Sequence, residues 1–337
     1  MRSLAYVSSL AAVFSLLLTV GLGEAGAQEA KTYKWNVPVI WTLPHHVRTE
    51  QEAMRARVLE RTGGKMDISL FQFGEVGLVD SDVLSIVRSG DFPLVELDGA
   101  KTSGDEPLFL IFNLAGLASS IEDAIKIGKA TEDLRKQALD EWNAVEIGLV
   151  HYLPPQAIFS KGPVRTIDDL RGLKLRVSSS TLLSAFKLVG SQPQLIPWGD
   201  VPAALLQGVV EGAVTSPSSG IGVGFADTTK YMTTMPLSDR ISWIMNKDAW
   251  NKLPPAIQKV LREESKAAGD RIQANWNREE ATVGKLVHDA GMTFVQPSKE
   301  FQAGIAKLLR PVWDEWAAKT KYGPNALKRA LTELGRN

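Results

Sequence analysis

Leu173-Lys174-Leu175-Arg176-Val177 is a short alternating strand, and the elements after it decide the fold. Thr181 to Val189 reads as a helix closed by Gly190, and Gln194 to Pro197 as a second strand. Val201 to Val209 is a second helix with Pro202 in its first turn, where a missing N–H is no loss. Glu211 to Ser216 is a third strand. Strands joined by single short helices are parallel strands with crossover connections. In such sheets ligands bind beyond the carboxyl ends of the strands, and Arg176 and Thr215-Ser216 both stand at such ends. An arginine among apolar neighbours needs an anion, and its planar fork takes a carboxylate through two parallel hydrogen bonds. That anion is either a ligand's or one of the chain's own, from Asp168, Asp169 or Glu211.

The alternation extends outward in both directions. Tyr33 to Ile40, Met66 to Phe71, Phe92 to Leu97 and Val145 to Tyr152 read as strands. Thr49-Glu50-Gln51-Glu52 reads as a capping box that starts a helix ending at Gly63-Gly64. A helix from about Ser81 stops at Gly90. A cap at Ser119 is expected to open one long helix to about Trp142. From Pro254 to about Ala290 a further helix is closed by Gly291. At 1.5 Å per residue it spans about 50 Å, long enough to run across two domains. Lys299 to Lys319 is amphipathic and is expected to bend at Pro311.

Arg2, the apolar run from Leu10 to Val20 and Ala25-Gly26-Ala27 read as an export signal over residues 1–27. Cleavage after Ala27 would place the protein in the periplasm. No later stretch approaches the roughly 20 apolar residues of a spanning helix. The chain has no cysteine, which excludes disulfides, zinc–thiolate sites and thiol nucleophiles. With 38 basic and 38 acidic residues, its balance argues against nucleic acid as a partner. His45-His46 point different ways on any regular element and lack a carboxylate cluster at ligand spacing, so no metal is expected. His151, on an apolar strand, reads as a hydrogen-bonded core histidine. No nucleophile elbow, phosphate loop or dinucleotide fingerprint is present, so neither a cofactor nor enzymatic turnover is expected. No sustained heptad supports a coiled coil, which leaves a monomer as the expectation.

Several segments stand in a telling order: Arg61-Thr62-Gly63-Gly64-Lys65, then Asp168 to Val177, then Trp198 to Gly212, then Asn246-Lys247-Asp248-Ala249-Trp250 with Leu253-Pro254. With the long late helix, they make nearly the whole chain after the signal resemble the periplasmic solute-binding subunits of tripartite ATP-independent periplasmic (TRAP) transporters. The resemblance implies an α/β fold of two domains with an interdomain cleft, crossing hinge strands and a domain-spanning helix. The expected domains are 28–153 plus 242–281 and 154–241 plus 282–337. They would close over a ligand by a hinge motion and serve a small and a large membrane subunit.

The resemblance also implies roles. Arg176 matches the arginine that clamps the ligand carboxylate, and Trp198 an aromatic that packs on the ligand. Thr215 and Ser216 fall where many members carry an asparagine. Glu96 matches a first-domain position that can face the cleft. Gln156 stands near where members that bind sugar acids often carry another arginine. Trp41 adds apolar surface, and Trp243 either reaches the cleft or packs the hinge. Fewer charged contacts imply a small organic acid with an apolar or aromatic body. Service to a signalling receptor or another transporter, or an exported enzyme acting on a small carboxylate, are the alternatives.

Overall fold

The structure, a computed structural model, describes residues 31–40, 45–102 and 104–336. The expected export signal and Trp41 lie outside the described residues. The strands in chain order are β1 (Tyr33–Val39), β2 (Met66–Gln72), β3 (Leu94–Asp98), β4 (Ala144–Tyr152), β5 (Ala157–Ser160), β6 (Lys174–Val177), β7 (Gln192–Leu195), β8 (Gly212–Thr215), β9 (Tyr231–Thr234), β10 (Arg240–Asn246) and β11 (Thr293–Val295).

The first lobe holds two small sheets. β1 and β2 pair in parallel, with the helix His45–Arg61 as their crossover. Val37, Val39, Ile68 and Leu70 pack there with Val47, Met54 and Val58 of that helix. β10 lies between β3 and β4, antiparallel to both. Cover on both faces explains why every residue of β10 is buried: Ile244 packs into one core cluster and Ile241, Trp243 and Met245 into another.

The second lobe holds a six-stranded sheet in the order β11-β9-β5-β8-β6-β7. β8, β6 and β7 are parallel, joined by the helices Ser180–Leu188 and Val201–Leu206. The βαβαβ unit read from Leu173 to Ser216 is therefore present. β7 begins two residues earlier than expected, because Pro193 is tolerated on the outermost strand, where no second neighbour asks for its N–H.

The chain crosses between the lobes at 153–156 and 235–239. The two crossings are tied to each other: Gln156 N–H donates to Leu237 O, Met235 N–H to Gln156 O, and Leu153 N–H to Asp239 O, at 2.7, 2.7 and 3.0 Å. The α/β two-domain periplasmic binding protein fold expected from the sequence is the fold observed.

Three helix readings need correction. The helix His45–Arg61 starts four residues before Thr49, so the Thr49 box lies inside a helix; burial of Val47 explains the added turn. The cap expected at Ser119 belongs to Ser120, whose Oγ accepts from Asp123 N–H at 3.1 Å. The single helix expected from there to Trp142 is two, Ile121–Ala130 and Glu132–Glu141. They part at Thr131, whose hydroxyl turns back to Ile127 O at 2.8 Å.

The long helix runs from Pro255 to Asp289, and its backbone breaks at Thr282 (φ −121°, ψ 16°), not at Gly269 or Gly284. Gly269 serves close packing instead: a Cβ there would meet Val150 O at 2.9 Å. Before the break, Ile257, Leu261, Ile272 and Trp276 join the first-lobe core; after it, Val287 joins a second-lobe core. The helix Lys299–Ala318 continues through Pro311. Phe301, Ile305 and Leu309 face the second-lobe core, whereas Trp313, Trp316 and Leu331 return to a first-lobe core. Among the described residues, no helix is long and apolar enough to cross a membrane.

Candidate functional site

Arg176 lies on β6, between β7 and β8. The neighbouring strands supply carbonyls but no charge. Nε donates to Ile196 O at 3.0 Å and Nη1 to Val214 O at 3.2 Å. The residue is 3% exposed. Each protein carboxylate considered from the sequence is committed elsewhere. Asp168 pairs with Arg171 at 2.8 Å. Asp169 accepts from Arg165 and Thr166 N–H, both at 2.8 Å. Glu211 accepts from Lys174 N–H at 3.4 Å. Among the described residues, Arg176 has no carboxylate partner and its Nη2 has no hydrogen bond. Burial lowers its pKa to about 10.

The Arg176 guanidinium sits 5.5 Å from the Trp198 ring centroid, within cation–π range. Trp198 opens the turn before the helix Val201–Leu206, is half-buried, and leans on Phe225 at 5.8 Å. Thr215 ends β8 one residue after the carbonyl that holds Arg176, in register with Ala157 of β5. It is partly exposed. Ser216 is buried, and its hydroxyl donates to Ser219 Oγ at 2.6 Å. Gln156 precedes Ala157, is buried, and turns its amide to Pro154 O at 3.4 Å. Arg176, Trp198 and the Thr215–Ser216 strand end are thus brought together, with Gln156 beside the strand that neighbours Thr215.

The first-lobe residues stand apart from these. Glu96 is buried on β3 and accepts from Ile40 N–H at 2.6 Å and from Gln51 Nε2 at 2.5 Å. Ile40 follows the end of β1, so Glu96 lies at the carboxyl end of that strand, the side on which open α/β sheets take ligands. Burial pushes its pKa up to about 8, against the hydrogen bonds that favour the charged form. Trp243 faces Glu96 across the β10–β3 register and is wholly buried in the first-lobe core.

His151 accepts from Trp276 Nε1–H at 3.1 Å through Nδ1. Burial lowers its pKa to about 3, so it stays neutral, as suits a core histidine. Among the described residues, no group of three or more metal-ligating side chains is assembled.

Two polar sites were not singled out from the sequence. Gln51, buried as a partner of Glu96, stood in the segment read as a capping box. The second is a charge cluster on the inner strands. Arg240 takes both oxygens of Glu146 at 2.8 Å through Nη1 and Nη2, and Arg135 Nε reaches Glu146 at 3.1 Å. A glutamate inside the otherwise apolar run from Val145 to Tyr152 was the available signal, since a buried carboxylate requires a partner.

Comparison with known proteins bears on this arrangement. Residues 40–320 match the family described as DctP, bacterial extracellular solute-binding protein, family 7. The C4-dicarboxylate-binding periplasmic protein DctP of Rhodobacter capsulatus is 29% identical over 280 residues, covering 80% of this chain and 82% of that protein. DctP7 of Bordetella pertussis, an extracytoplasmic solute receptor binding pyroglutamic acid, superimposes with a TM-score of 0.79 at 23% identity, over 89% of this chain and 99% of that one. A TRAP solute-binding protein of an unidentified marine microbe, specific for aromatic acid ligands and crystallised with 3-hydroxybenzoate, gives 0.78 at 19% identity, over 91% and 99%. At these identities the two structures establish the shared fold.

Proposed function

The chain belongs to the bacterial extracellular solute-binding protein family 7, and from that premise we propose that it captures a small organic acid between its lobes by hinge closure. The captured acid is delivered to the small and large membrane subunits of a TRAP transporter. The family is one of substrate-binding transport proteins, and the protein acts by binding without turnover.

One observation carries this reading. Arg176 is a buried guanidinium whose only partners among the described residues are two backbone carbonyls and an aromatic face. A charge taken out of water requires a counter-charge, and a ligand carboxylate supplies it in the geometry that the fork prefers. Trp198 offers a flat apolar surface beside it. Gln156 offers a neutral amide near where binders of sugar acids often carry an arginine, and Thr215 offers a hydroxyl at the strand end where many members carry an asparagine. Glu96 closes the site from the first lobe. The ligand is therefore a monocarboxylate with a compact apolar or aromatic body. 3-Hydroxybenzoate, bound by one structural relative, fits that description, and pyroglutamate, bound by the other, shares the compact monocarboxylate part of it.

We assign 28–153 plus 242–281 to the first domain and 154–241 plus 282–337 to the second, with the stretch from Trp313 onward docking back on the first. The mature protein resides in the periplasm as a monomer and starts at Gln28.

The test is a thermal-shift panel with pyroglutamate, 3-hydroxybenzoate, succinate and glucuronate, since a ligand that binds only the native state raises the melting temperature. The compact monocarboxylates are expected to stabilise most. Stabilisation by glucuronate alone would overturn the inferred ligand body. Stabilisation undiminished in Arg176→Ala would overturn the clamp.

A further inference from the structure

Two adjacent residues of the long helix each hold the start of another helix, one in each lobe. Glu279 Oε1 accepts from Ser218 N–H at 3.1 Å, and Glu280 Oε1 accepts from Ile121 N–H at 3.0 Å. Neighbouring side chains on a helix diverge by about 100°, so a consecutive pair reaches to two sides at once.

On the second-lobe side, the helix Pro217–Gly222 lacks a side-chain cap of its own. Ser216 spends its hydroxyl on Ser219, and Pro217 has no N–H. Ser218 N–H is therefore the first donor of that helix, and Glu279 is its acceptor. On the first-lobe side, Ser120 caps Ile121–Ala130 through Asp123 N–H, which leaves Ile121 N–H for Glu280.

The surroundings mark this point as mechanical. Thr282, two residues beyond Glu280, is where the long helix breaks, and its hydroxyl turns back to Arg278 O at 2.7 Å. The helix is anchored in the first-lobe core before the break and in a second-lobe core after it. Both glutamates border a cavity of about 200 Å³ that Pro154, Pro155 and Pro236 also line, so the pair lies against both crossings between the lobes. Both carboxyls are half-buried, and that burial raises the pKa of each against the hydrogen bonds it accepts.

We infer that Glu279 and Glu280 are a two-sided clasp that sets the angle between the lobes, Glu279 holding the Thr215–Ser216 strand end through Ser218 and Glu280 holding the helix Ile121–Ala130. The consequence for ligand capture rests on the function proposed above, whereas the lobe angle does not.

The chain has no cysteine, so Lys136→Cys with Leu188→Cys places one spin label on each lobe at exposed positions. Pulsed EPR without any added acid then reads the inter-lobe distance directly. Glu279→Ala and Glu280→Ala are each expected to widen or shift the parental distribution. Glu279→Gln, which keeps an oxygen for Ser218 N–H, is expected to restore it. Hydrogen exchange separates the two sides: amides of 215–222 exchange faster in Glu279→Ala only, and those of 121–130 faster in Glu280→Ala only. An alanine variant that does not fold is replaced by the aspartate, one methylene short, and read in the same way. Parental distances in both variants would overturn the clasp, as would exchange that rises evenly along the chain. Because no ligand enters either measurement, failure here is distinct from failure of the carboxylate reading.

Discussion

Two buried arginine sites in this molecule solve the same problem differently. Where β10 and β4 of the first lobe meet the helix Glu132–Glu141, Arg240 and Arg135 surround Glu146, and the cluster extends to Ser242 and Tyr152. On β6 of the second lobe, Arg176 is as deeply buried as Arg240, at 3% against 5% exposure, yet among the described residues it meets only carbonyls and an aromatic ring. The first site is electrostatically complete within the protein. The second has no counter-charge among the described residues. The contrast separates an arginine paired within the protein from one left open for the proposed ligand carboxylate, and burial alone does not distinguish them.

The comparison breaks most readily at Arg176. Arg176→Ala is expected to lose ligand affinity by about two orders of magnitude or more, given roughly 2–5 kcal/mol for one partner of a buried pair. Its melting temperature without ligand should hold or rise, because an unpaired buried charge is removed. Calorimetry with whichever acid the parent binds, beside a melting curve without it, reads both halves. Near-parental affinity would end the assignment.

Glu146→Gln should do the reverse. It leaves two buried guanidinium groups without their carboxylate, at a cost of about 3–5 kcal/mol in unfolding free energy, while affinity for the acid changes little in protein that is still folded. Denaturant titration measures the first and calorimetry the second. A large affinity loss in folded Glu146→Gln would mean that the two sites are not separable.

Acid titration sharpens the same contrast. Burial acts to raise the Glu146 pKa, but the charges of Arg240 and Arg135 outweigh it and hold the carboxyl far below its ordinary 4.5. A lowered folded-state pKa contributes stability that is present above the unfolded value and lost as the pH falls below it. The parent should therefore weaken below about pH 4.5 more steeply than Glu146→Gln, whereas Arg176→Ala should keep the parental slope. Glu96 carries the opposite sign. With its pKa raised to about 8 from 4.5, the folded state holds the proton longer, so stability falls as the pH rises through that interval. Glu96→Gln should flatten the melting temperature between those values, and an unchanged profile would refute the raised pKa.

The smallest expected effect is at Trp198. Trp198→Ala removes a cation–π contact of about 0.5–2 kcal/mol along with its apolar surface. Affinity should fall, but by less than in Arg176→Ala. A loss equal to that of Arg176→Ala would make the aromatic face, and not the charge, the main determinant of binding.

Local patterns were legible in the sequence wherever their causes are local. The βαβαβ unit from Leu173 to Ser216 is visible because apolar alternation, Pro202 and Gly190 act within a few residues of themselves. The position of Arg176 at a strand end follows from that register. The readings that failed turn on competition within a segment. Thr131 and Thr282 break helices by turning a hydroxyl back on the backbone, and an ordinary threonine in a periodic run does not announce this.

Taken alone, then, the sequence determined the βαβαβ unit from Leu173 to Ser216, the lack of thiol chemistry, and an arginine set where α/β sheets take ligands. Only the tertiary structure decided that Arg176 lacks a carboxylate partner among the described residues while Arg240 possesses one. Glu146 and Arg240 are 94 residues apart and meet because β4 and β10 pair. Asp168 stands closer to Arg176 in the chain than Glu146 does to Arg240, yet it turns to Arg171 at the surface. Pairing of charges is decided by distance in space, and the sheet, not the spacing along the chain, sets that distance.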